Sequence, residues 1–543
     1  MDYGPATPQS TESPAPGRAR RSEMAAASHR QARASRLRVP ESWPLWLVLV
    51  VQALLTIRLF RSDTAFQDEA LYLWAGHLEW AHVLHGGSLP QFPAYFSGAP
   101  AIYPPLAALA DGLGGLTGAR ALSMIFMLGA TTVLWSAASR LYGRRAAFFA
   151  TALFAILGPT LHLGSFATYD ALSVFLVALA AWFVIRAADR PDATGWVLAA
   201  GVTLALANAT SYASALFDPV VLLLALVIAL PKPGGKLAAG RVLVLAAITV
   251  SLVAVALLLG GSRYIHGVAL TTVSRVEGTD SVPHVLADAW AWTGVVAIIA
   301  FCGVIASWVT RPKTSRSWLL TLLTAAVILA PAEQASIHTT ASLNKHVVFG
   351  AWFAAIAAGY AVDRLLAAVP DGNMRAVTFG ACVVALSFPV SLGVGQSRVF
   401  ATSWPNSSAF VAIFGPLADH SSGRLLVEDP SIAEYYLPSG SQWQRWSSTR
   451  NIVLPGGTPT GGPSARGGII GAGNAGTFAM YIRQGYFSFI ALNFADTTSL
   501  DKSIAADIHR NRHYHSIQVV PYGSGPAGPA VGEYVIWQYE PKS

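Results

Sequence analysis

Charged residues are scarce in this chain of 543 residues: Asp, Glu, Lys and Arg make up 12% of it, while hydrophobic residues make up 53%. A soluble globular protein carries about 25% charged residues. The composition therefore excludes an ordinary soluble domain and indicates a polytopic membrane protein. Cysteine is nearly absent as well. Only Cys302 and Cys382 occur, both inside apolar runs, which excludes a disulfide framework and a metal site built from thiolates.

The net charge of +8 does not indicate a nucleic-acid partner. Its basic residues fall in short loops and in an N-terminal tail instead of forming one basic face. Residues 1–42 are rich in Ala, Ser and Pro and carry seven arginines between Arg18 and Arg38. Because this stretch has no apolar core, we predict a disordered, basic cytoplasmic tail.

Apolar runs long enough to cross a membrane follow the tail and define a predicted transmembrane region, residues 43–396. The eleven predicted spans are 43–60, 119–139, 146–162, 169–186, 194–209, 213–230, 241–261, 289–309, 317–333, 346–366 and 375–394. With the tail in the cytoplasm, the cytoplasmic loops carry thirteen Lys or Arg residues and the opposite loops carry six. This positive-inside bias predicts a multi-pass protein of the cell membrane with its C-terminus outside.

Two stretches outside the spans are predicted to lie on the external side. The loop 61–118 contains an amphipathic segment, Glu69–Leu84, and a stiff Tyr103-Pro-Pro-Leu sequence, so we expect it to lie along the membrane interface. Residues 397–543 are less hydrophobic and predict a small α/β domain. Its predicted strands begin near Arg424, Phe487, Ser516 and Glu533, and a helix is predicted near 499–511.

Several ionisable residues come to the external face in this topology. Asp68 and Glu69 follow the first span, Asp170 opens the fourth, and Lys345 flanks the tenth. Each has a simpler interpretation: Asp68 caps a helix, Asp170 suits a helix N-terminus, and Lys345 snorkels to the interface. Their convergence on one face favours a functional site, because ionisable groups at membrane depth are costly and usually functional.

Two carboxylates on one face can do two kinds of chemistry. One can act as a general base on an acceptor hydroxyl or amine. Together, Asp68 and Asp170 could also hold a divalent cation such as Mg²⁺ or Mn²⁺ and leave room for a phosphate. An anionic head group could pair with basic groups on the same face, since charge-assisted contacts to phosphate oxygens are strong. The candidates for that pairing are Arg263, Arg275, His338 and Lys345.

Four features in this order resemble the GT-C glycosyltransferases, over residues 43–395. They are the Asp68-Glu69 pair after the first span, Tyr103-Pro-Pro-Leu, Ala119-Arg-Ala-Leu-Ser, and Asp170 at the start of a span. Within that group, the chain looks most similar to the protein O-mannosyltransferase-like proteins and the bacterial aminoarabinose transferases. The resemblance implies many transmembrane helices around an external catalytic cavity.

The resemblance also implies a reaction and a set of site residues. It implies inverting transfer of a sugar from a polyprenyl-phosphate donor to a cell-envelope lipid, polymer or protein, with Asp68 as general base and Glu69 beside it as a catalytic residue. Asp170 would bind a metal or position the acceptor, and the loop at Tyr103 would shape the cavity. The pair Lys345-His346 stands where relatives often carry an Arg-Tyr element that binds the donor.

Two rival functions stay open at this stage. A transporter or flippase for a lipid-linked precursor would need polar residues and broken helices near the middle of the membrane. The segment containing Asn208, Ser211, Asp218 and Pro219 could serve that purpose. A scaffold that binds a partner through residues 397–543 is the other rival.

Overall fold

The computed structural model describes most of the chain in two units, residues 1–47 and 48–543. In the first unit the described residues are Gly4 and 42–47, where the first helix begins, so the predicted tail with its arginines lies outside the described part. The described ranges of the second unit are 48–190, 192–230, 235–273, 277–370, 372–449, 452–454, 459–463, 469–471, 475–495, 497–525 and 529–541.

Helices dominate the chain as far as residue 400, as the apolar runs predict. Their bounds are α1 Trp43–Ile57, α2 Gln67–His85, α3 Tyr103–Tyr142, α4 Arg144–Ala155, α5 Gly158–Gly164, α6 Tyr169–Ala187, α7 Thr194–Thr210, α8 Asp218–Ala229, α9 Gly235–Thr271, α10 Val282–Thr310, α11 Ser315–Ser336, α12 Leu343–Ala368, α13 Asn373–Ala385 and α14 Ser387–Phe400. Short 3₁₀ turns lie at Phe92–Ala94 and Tyr212–Phe217.

Each predicted span coincides with one of these helices or with a closely joined pair. Among the described residues, eight spans are long and apolar enough to cross a membrane, and a bent pair makes a ninth. The two remaining runs form the shorter apolar helices Trp43–Ile57 and Thr194–Thr210. The prediction of a polytopic helical membrane protein is therefore confirmed.

The predicted span 146–162 is broken instead of straight. Helices α4 and α5 meet at an angle of 71°. Helix α14 packs closely against this break, because a methyl group on Gly393 would lie 1.8 Å from the Ile156 carbonyl oxygen. The break turns the chain into α5, which is followed by the helix that carries Asp170.

The loop 61–118, predicted to be external, contains more helix than the sequence indicates. Its amphipathic segment forms α2, as predicted, but Tyr103 begins helix α3 instead of lying in a stiff loop. Pro104 and Pro105 fall in the first turn, where a missing N–H group breaks no hydrogen bond. The interruption comes later, at Gly114 and Gly115, and Gly115 adopts a positive φ of 60° that favours glycine.

The C-terminal region forms an α/β domain with a five-stranded sheet. The order of its strands is β2 (Trp446–Ser448), β1 (Arg424–Val427), β6 (Phe487–Leu492), β8 (Ala530–Tyr539) and β7 (Tyr514–Gly523). The pairings among β2, β1 and β6 are parallel, and β8 pairs antiparallel with β6 and β7. Buried side chains such as Phe414, Leu425 and Trp446 fill its core. Its elements are α15 Ser408–His420, β1 Arg424–Val427, α16 Pro430–Tyr436, β2 Trp446–Ser448, β3 Ile452–Val453, β4 Pro459–Pro463, β5 Ile469–Gly471, α17 Ala475–Arg483, β6 Phe487–Leu492, α18 Thr498–Arg510, β7 Tyr514–Gly523 and β8 Ala530–Tyr539.

Candidate active site

Glu69 lies in the first turn of α2 and is fully buried. Its Oε2 accepts hydrogen bonds from the Phe66 backbone N–H at 3.1 Å and from Arg120 Nη2 at 2.7 Å. Its Oε1 accepts from Arg120 Nε at 2.9 Å and from the Ala167 backbone N–H at 2.8 Å. These four bonds join α2, α3 and the start of α6.

Arg120 completes this buried pair. Besides binding Glu69, its guanidinium donates to the carbonyl oxygens of Phe60, Asp63 and Thr64 at 2.6, 3.1 and 3.2 Å. A guanidinium has five N–H groups, and these contacts use all of them. The catalytic role of Glu69 stays a prediction; in this geometry its buried carboxylate accepts four hydrogen bonds and is placed to hold the site together. Asp68, the residue before it, contacts Lys345 instead.

Asp68 meets the other predicted residues of the site through Lys345. The Lys345 Nζ lies 2.9 Å from Asp68 Oδ2 and 3.6 Å from Asp170 Oδ2. Residues that are far apart in sequence, at the starts of α2, α6 and α12, thus form one cluster of three charges. Two carboxylates and one ammonium leave a net charge of −1, which suits a group that must accept a proton.

The two carboxylates differ in exposure. The Asp170 side chain is 1% exposed and accepts hydrogen bonds from Thr168 Oγ1 at 3.2 Å and Ser211 Oγ at 3.4 Å. The Asp68 side chain is 26% exposed. A general base must reach the proton that it removes, so Asp68 is the better placed of the two for that role, and Asp170 is placed to hold Lys345.

The turn before Lys345 is held in an unusual backbone conformation. His338 and Ser342 have positive φ angles of 51° and 67°. Asp280 Oδ2 accepts from both the N–H and the hydroxyl of Thr340 at 2.7 Å, and these bonds lower the pKa of the Asp280 carboxyl. Strained backbone of this kind persists only where surrounding contacts fix it. The turn therefore sets where α12 begins and where Lys345 lies.

His338 and His346 belong to this turn and its support. His338 Nδ1 lies 3.0 Å from the Asp280 carbonyl oxygen. His346 Nδ1 lies 2.9 Å from the side-chain amide of Gln334, which in its best-satisfied orientation also donates to the carbonyl oxygens of Thr339 and Ala341. Both histidines lie near Lys345 in the chain, and the contacts described here tie them to the turn.

Aromatic side chains line the cluster. Lys345 Nζ lies 5.9 Å from the centre of the Phe166 ring. The rings of Tyr72 and Tyr169 lie 4.8 Å apart, and Tyr103 packs edge-on against Tyr72 at 6.3 Å. Burial raises the pKa of the Tyr72 phenol well above its ordinary value, so the phenol keeps its proton. Tyr103 therefore lies one layer behind the charged residues and supports the wall that faces them.

The divalent cation expected at Asp68 and Asp170 stays a prediction. In the described part of the chain no group of three or more His, Cys, Asp or Glu side chains could hold a metal ion. Asp68 and Asp170 do approach the same point, but the Lys345 ammonium lies there. An ammonium between two carboxylates supplies the positive charge that a cation would otherwise supply.

The structure thus brings together Asp68, Asp170 and Lys345, and places Glu69, Tyr103, His338 and His346 around them. Arg263 lies in α9, but its side chain, like the whole of Arg275, lies outside the described residues. Tyr72 was not predicted to belong to the site, and no role in the site was predicted for Arg120. Tyr72 follows Asp68 by four residues on one helix, a spacing that places both side chains on one face.

Comparisons with known proteins bear on the fold that holds these residues. Residues 106–259 match the family described as dolichyl-phosphate-mannose-protein mannosyltransferase. No curated protein sequence matches the chain.

Three solved structures are similar in fold. ArnT from Cupriavidus metallidurans bound to undecaprenyl phosphate is 14% identical with a TM-score of 0.58, and the match covers 92% of this chain and 100% of that one. The oligosaccharyltransferase AglB from Archaeoglobus fulgidus, with an inhibitory peptide and a dolichol phosphate, is 13% identical with a TM-score of 0.53, covering 90% and 75%. Arabinofuranosyltransferase AftD from Mycobacteria is 16% identical with a TM-score of 0.51, covering 93% and 42%. These proteins are GT-C glycosyltransferases, and the chain has their fold.

Proposed function

We propose that this protein is a membrane glycosyltransferase that moves a sugar from a polyprenyl-phosphate donor to an acceptor of the cell envelope on the external face. The observation that carries the proposal is the cluster of Asp68, Lys345 and Asp170 at the starts of α2, α12 and α6 in a GT-C fold. The lipid phosphates bound by ArnT and AglB support a donor of the same class. The matched mannosyltransferase family and the arabinofuranosyltransferase AftD support mannose and arabinose as the first sugars to test.

The proposed reaction is a single inverting displacement. The acceptor hydroxyl or amine attacks the anomeric carbon of the sugar while Asp68 takes its proton, and the bond from that carbon to the phosphate oxygen breaks. The pair of electrons in the broken bond leaves with the polyprenyl phosphate. A positioned general base typically contributes a factor of about 10²–10⁴ to a rate, so Asp68 carries a substantial share of the proposed catalysis.

Lys345 and Asp170 prepare the site for this step. Lys345 balances part of the negative charge and keeps Asp68 in place, and Asp170 holds Lys345 from the buried side. The N-termini of α6 and α12 open at the same place, and the partial positive charge of a helix N-terminus favours a nearby phosphate. The exposed apolar helix faces offer the lipid tail a lateral approach from the membrane.

The test is an analysis of the cell envelope by mass spectrometry in cells that lack the protein. We expect a sugar to disappear from an envelope lipid, polymer or protein and to return with wild-type protein. Asp68→Asn and Asp170→Asn proteins of equal abundance should restore less than about 1% of it. Asp363→Asn is the matched control, because it removes a carboxylate from the far end of α12, where Asp363 pairs with Arg145 at the surface.

Two results would contradict the proposal. If both Asp68→Asn and Asp170→Asn restore the missing sugar fully, the cluster takes no part in catalysis. Movement of a lipid-linked sugar across liposome membranes by the purified protein, with no new glycosidic product, would identify the transporter instead. That rival draws on the hydrogen bond from Asn208 Nδ2 to Asp218 Oδ2 at 2.7 Å and on the 3₁₀ turn between α7 and α8.

A further inference from the structure

The segment that leads into α2 is bound from the side of the C-terminal domain. Asp63 is buried although it is charged, and it lies five residues before Asp68. Its Oδ1 accepts from the Asn406 Nδ2 and from the Thr64 N–H, each at 2.7 Å. Its Oδ2 accepts from the Gly525 N–H at 2.7 Å. One carboxylate therefore joins the end of the first span, the entry to the C-terminal domain and the turn between β7 and β8.

Neighbouring contacts make the same connection. The Trp404 indole N–H donates to the Thr64 carbonyl at 3.0 Å, and the Ser407 N–H donates to the Thr64 hydroxyl at 3.0 Å. The Ala65 N–H donates to the Tyr436 hydroxyl at 2.8 Å. Thr64 and Ala65, which follow Asp63 and come just before the helix that carries Asp68, are thus hydrogen-bonded to the C-terminal region.

The turn that reaches Asp63 is itself fixed against the entry to the domain. Pro405 and Ser524 form an antiparallel bridge, and the Asn406 N–H donates to the Gly523 carbonyl at 2.9 Å. Gly525 has a φ of 78°, a conformation that favours glycine and turns its N–H towards Asp63. A shift of this turn would therefore be transmitted to Asp63.

We propose that Asp63 is a positioning residue of the active site, through which the seating of the C-terminal domain sets the position of Asp68 relative to Lys345 and Asp170. The Arg120 guanidinium already fixes the same segment from the membrane side through the Phe60, Asp63 and Thr64 carbonyls. Asp63 fixes it from the domain side. Asp68 then lies at the end of a segment that is held from two directions, and neither support touches the reacting atoms.

Asp63→Asn is the variant that tests this inference. Asparagine replaces one carboxylate oxygen by an NH2 group, which donates hydrogen bonds and cannot accept them. This group must face either the Gly525 N–H or the donors of Thr64 and Asn406, so at least one hydrogen bond is lost. Since a displacement of about 1 Å can cost about 10²-fold in rate, we expect kcat of the full-length protein to fall about 10–100-fold. The KM for a synthetic polyprenyl-phosphate mannose or arabinose should stay unchanged, because Lys345 and Asp170 are not altered.

Adding Asn406→Asp to the same protein should restore activity. In this double variant the amide introduced at position 63 can donate to the carboxylate introduced at position 406, and the amide oxygen can still accept from Gly525. The control is Glu428→Gln, which alters a buried carboxylate inside the C-terminal domain that accepts from the N–H groups of Asn493, Ala495 and Thr497. That variant should transfer sugar at the wild-type rate.

Hydrogen exchange gives a readout that does not depend on activity. The amides of Ala65 and Gly525 should exchange faster in Asp63→Asn and return towards wild type in the double variant. The Thr64 amide should exchange faster in both, because the amide nitrogen introduced at position 63 replaces the oxygen that accepts from it. This inference rests on the proposed function, but the two can fail separately. If the wild-type protein transfers no sugar, the proposed function is wrong. Hydrogen exchange still tests whether Asp63 couples the C-terminal domain to the segment before Asp68. Wild-type kcat or unchanged exchange in Asp63→Asn, or equal loss of kcat in Glu428→Gln, would overturn the positioning role.

Discussion

Lys345 is the residue on which the charge balance of the site depends. Its ammonium is buried between Asp68 and Asp170, and the second cationic side chain at this level, Arg120, uses its five N–H groups on Glu69 and on backbone carbonyls. Removing one partner from a buried charge pair typically costs about 3–5 kcal/mol, because the remaining charge is left uncompensated. A cation at this position therefore stabilises the folded site.

Lys345→Met should lower the thermal midpoint of the detergent-solubilised protein and abolish transfer. The cause is the repulsion between two carboxylates that lose the ammonium between them. Scanning fluorimetry and the transfer assay measure the two effects. Lys502→Met, which removes an exposed lysine from α18, is the control and should match wild type. A Lys345→Met protein with the wild-type midpoint and rate would contradict the described cluster.

Sequence reasoning found the members of the cluster because they stand out as charges in an apolar chain. Asp68, Asp170 and Lys345 each begin a helix, and the alternation of spans places those ends on one face. It could not separate Asp68 from Glu69, since the two are adjacent and chemically alike. Only the packing shows that Glu69 pairs with Arg120, fifty-one residues after it, whereas Asp68 pairs with Lys345.

At the scale of the element, α2 carries a half-buried carboxyl, Glu79, besides the fully buried Glu69. Glu79 lies on the same helix, and its Oε2 is buried without a hydrogen-bond partner among the residues that the structure describes. Burial raises the pKa of Glu79 to about 7 from the ordinary 4.5. The folded protein then binds more protons than the unfolded chain between these values, so its stability falls as the pH rises through that range.

The thermal midpoint of the wild-type protein should therefore decline between about pH 5 and pH 8. Glu79→Gln removes the titrating group, and its midpoint should change less over the same range and exceed that of wild type at pH 8. Scanning fluorimetry at closely spaced pH values makes the comparison. If the thermal midpoints of the two proteins depend on pH in the same way, the ionisation of Glu79 does not affect the stability of the fold.

Helix α14 offers a matched pair of glycines next to the broken span. A methyl group on Gly393 would lie 1.8 Å from the Ile156 carbonyl oxygen, whereas nothing lies within 4 Å of one on Gly395. Alanine is favoured over glycine in a helix by about 1 kcal/mol. Gly393→Ala should therefore lower the thermal midpoint and Gly395→Ala should leave it equal or higher. Equal effects would contradict the close approach of α14 to the break.

The elements themselves were largely predictable, and the errors have physical causes. Long apolar runs predict spans well because the bilayer demands them. The angle of 71° inside 146–162 depends on packing by α14, which lies more than 200 residues later. Tyr103-Pro-Pro was assigned to a loop because prolines break helices, yet prolines in a first turn break nothing.

At the scale of the whole molecule, the orientation in the membrane is a prediction of the positive-inside bias. The C-terminal domain and the starts of α2, α6 and α12 should face outwards, and the loop at Lys313 should face the cytoplasm. In a background with Cys302 and Cys382 replaced by alanine, Glu533→Cys should react with an impermeant maleimide in intact spheroplasts. Lys313→Cys should react only after lysis. The reverse pattern would place the proposed site in the cytoplasm.

The C-terminal domain was predictable in its elements but not in its contact with Asp63, near the site. Its four predicted strands and one predicted helix are present, since local alternation of apolar residues indicates them. Its contact with Asp63 was not predictable, because the partners Asn406 and Gly525 are more than 340 residues away and carry no local signal. The fold brings the domain to the segment before Asp68.

The release of polyprenyl phosphate from a synthetic polyprenyl-phosphate sugar by the purified full-length protein tests the central claim most directly. Mannose and arabinose donors are presented with a membrane extract as the source of acceptor, and wild type is compared with Asp68→Asn. We expect wild type to release the lipid phosphate in step with formation of a glycosylated product, and Asp68→Asn to be at least about 100-fold slower. Equal rates for the two proteins would contradict the assignment of Asp68 as the base and the cluster as the catalytic site.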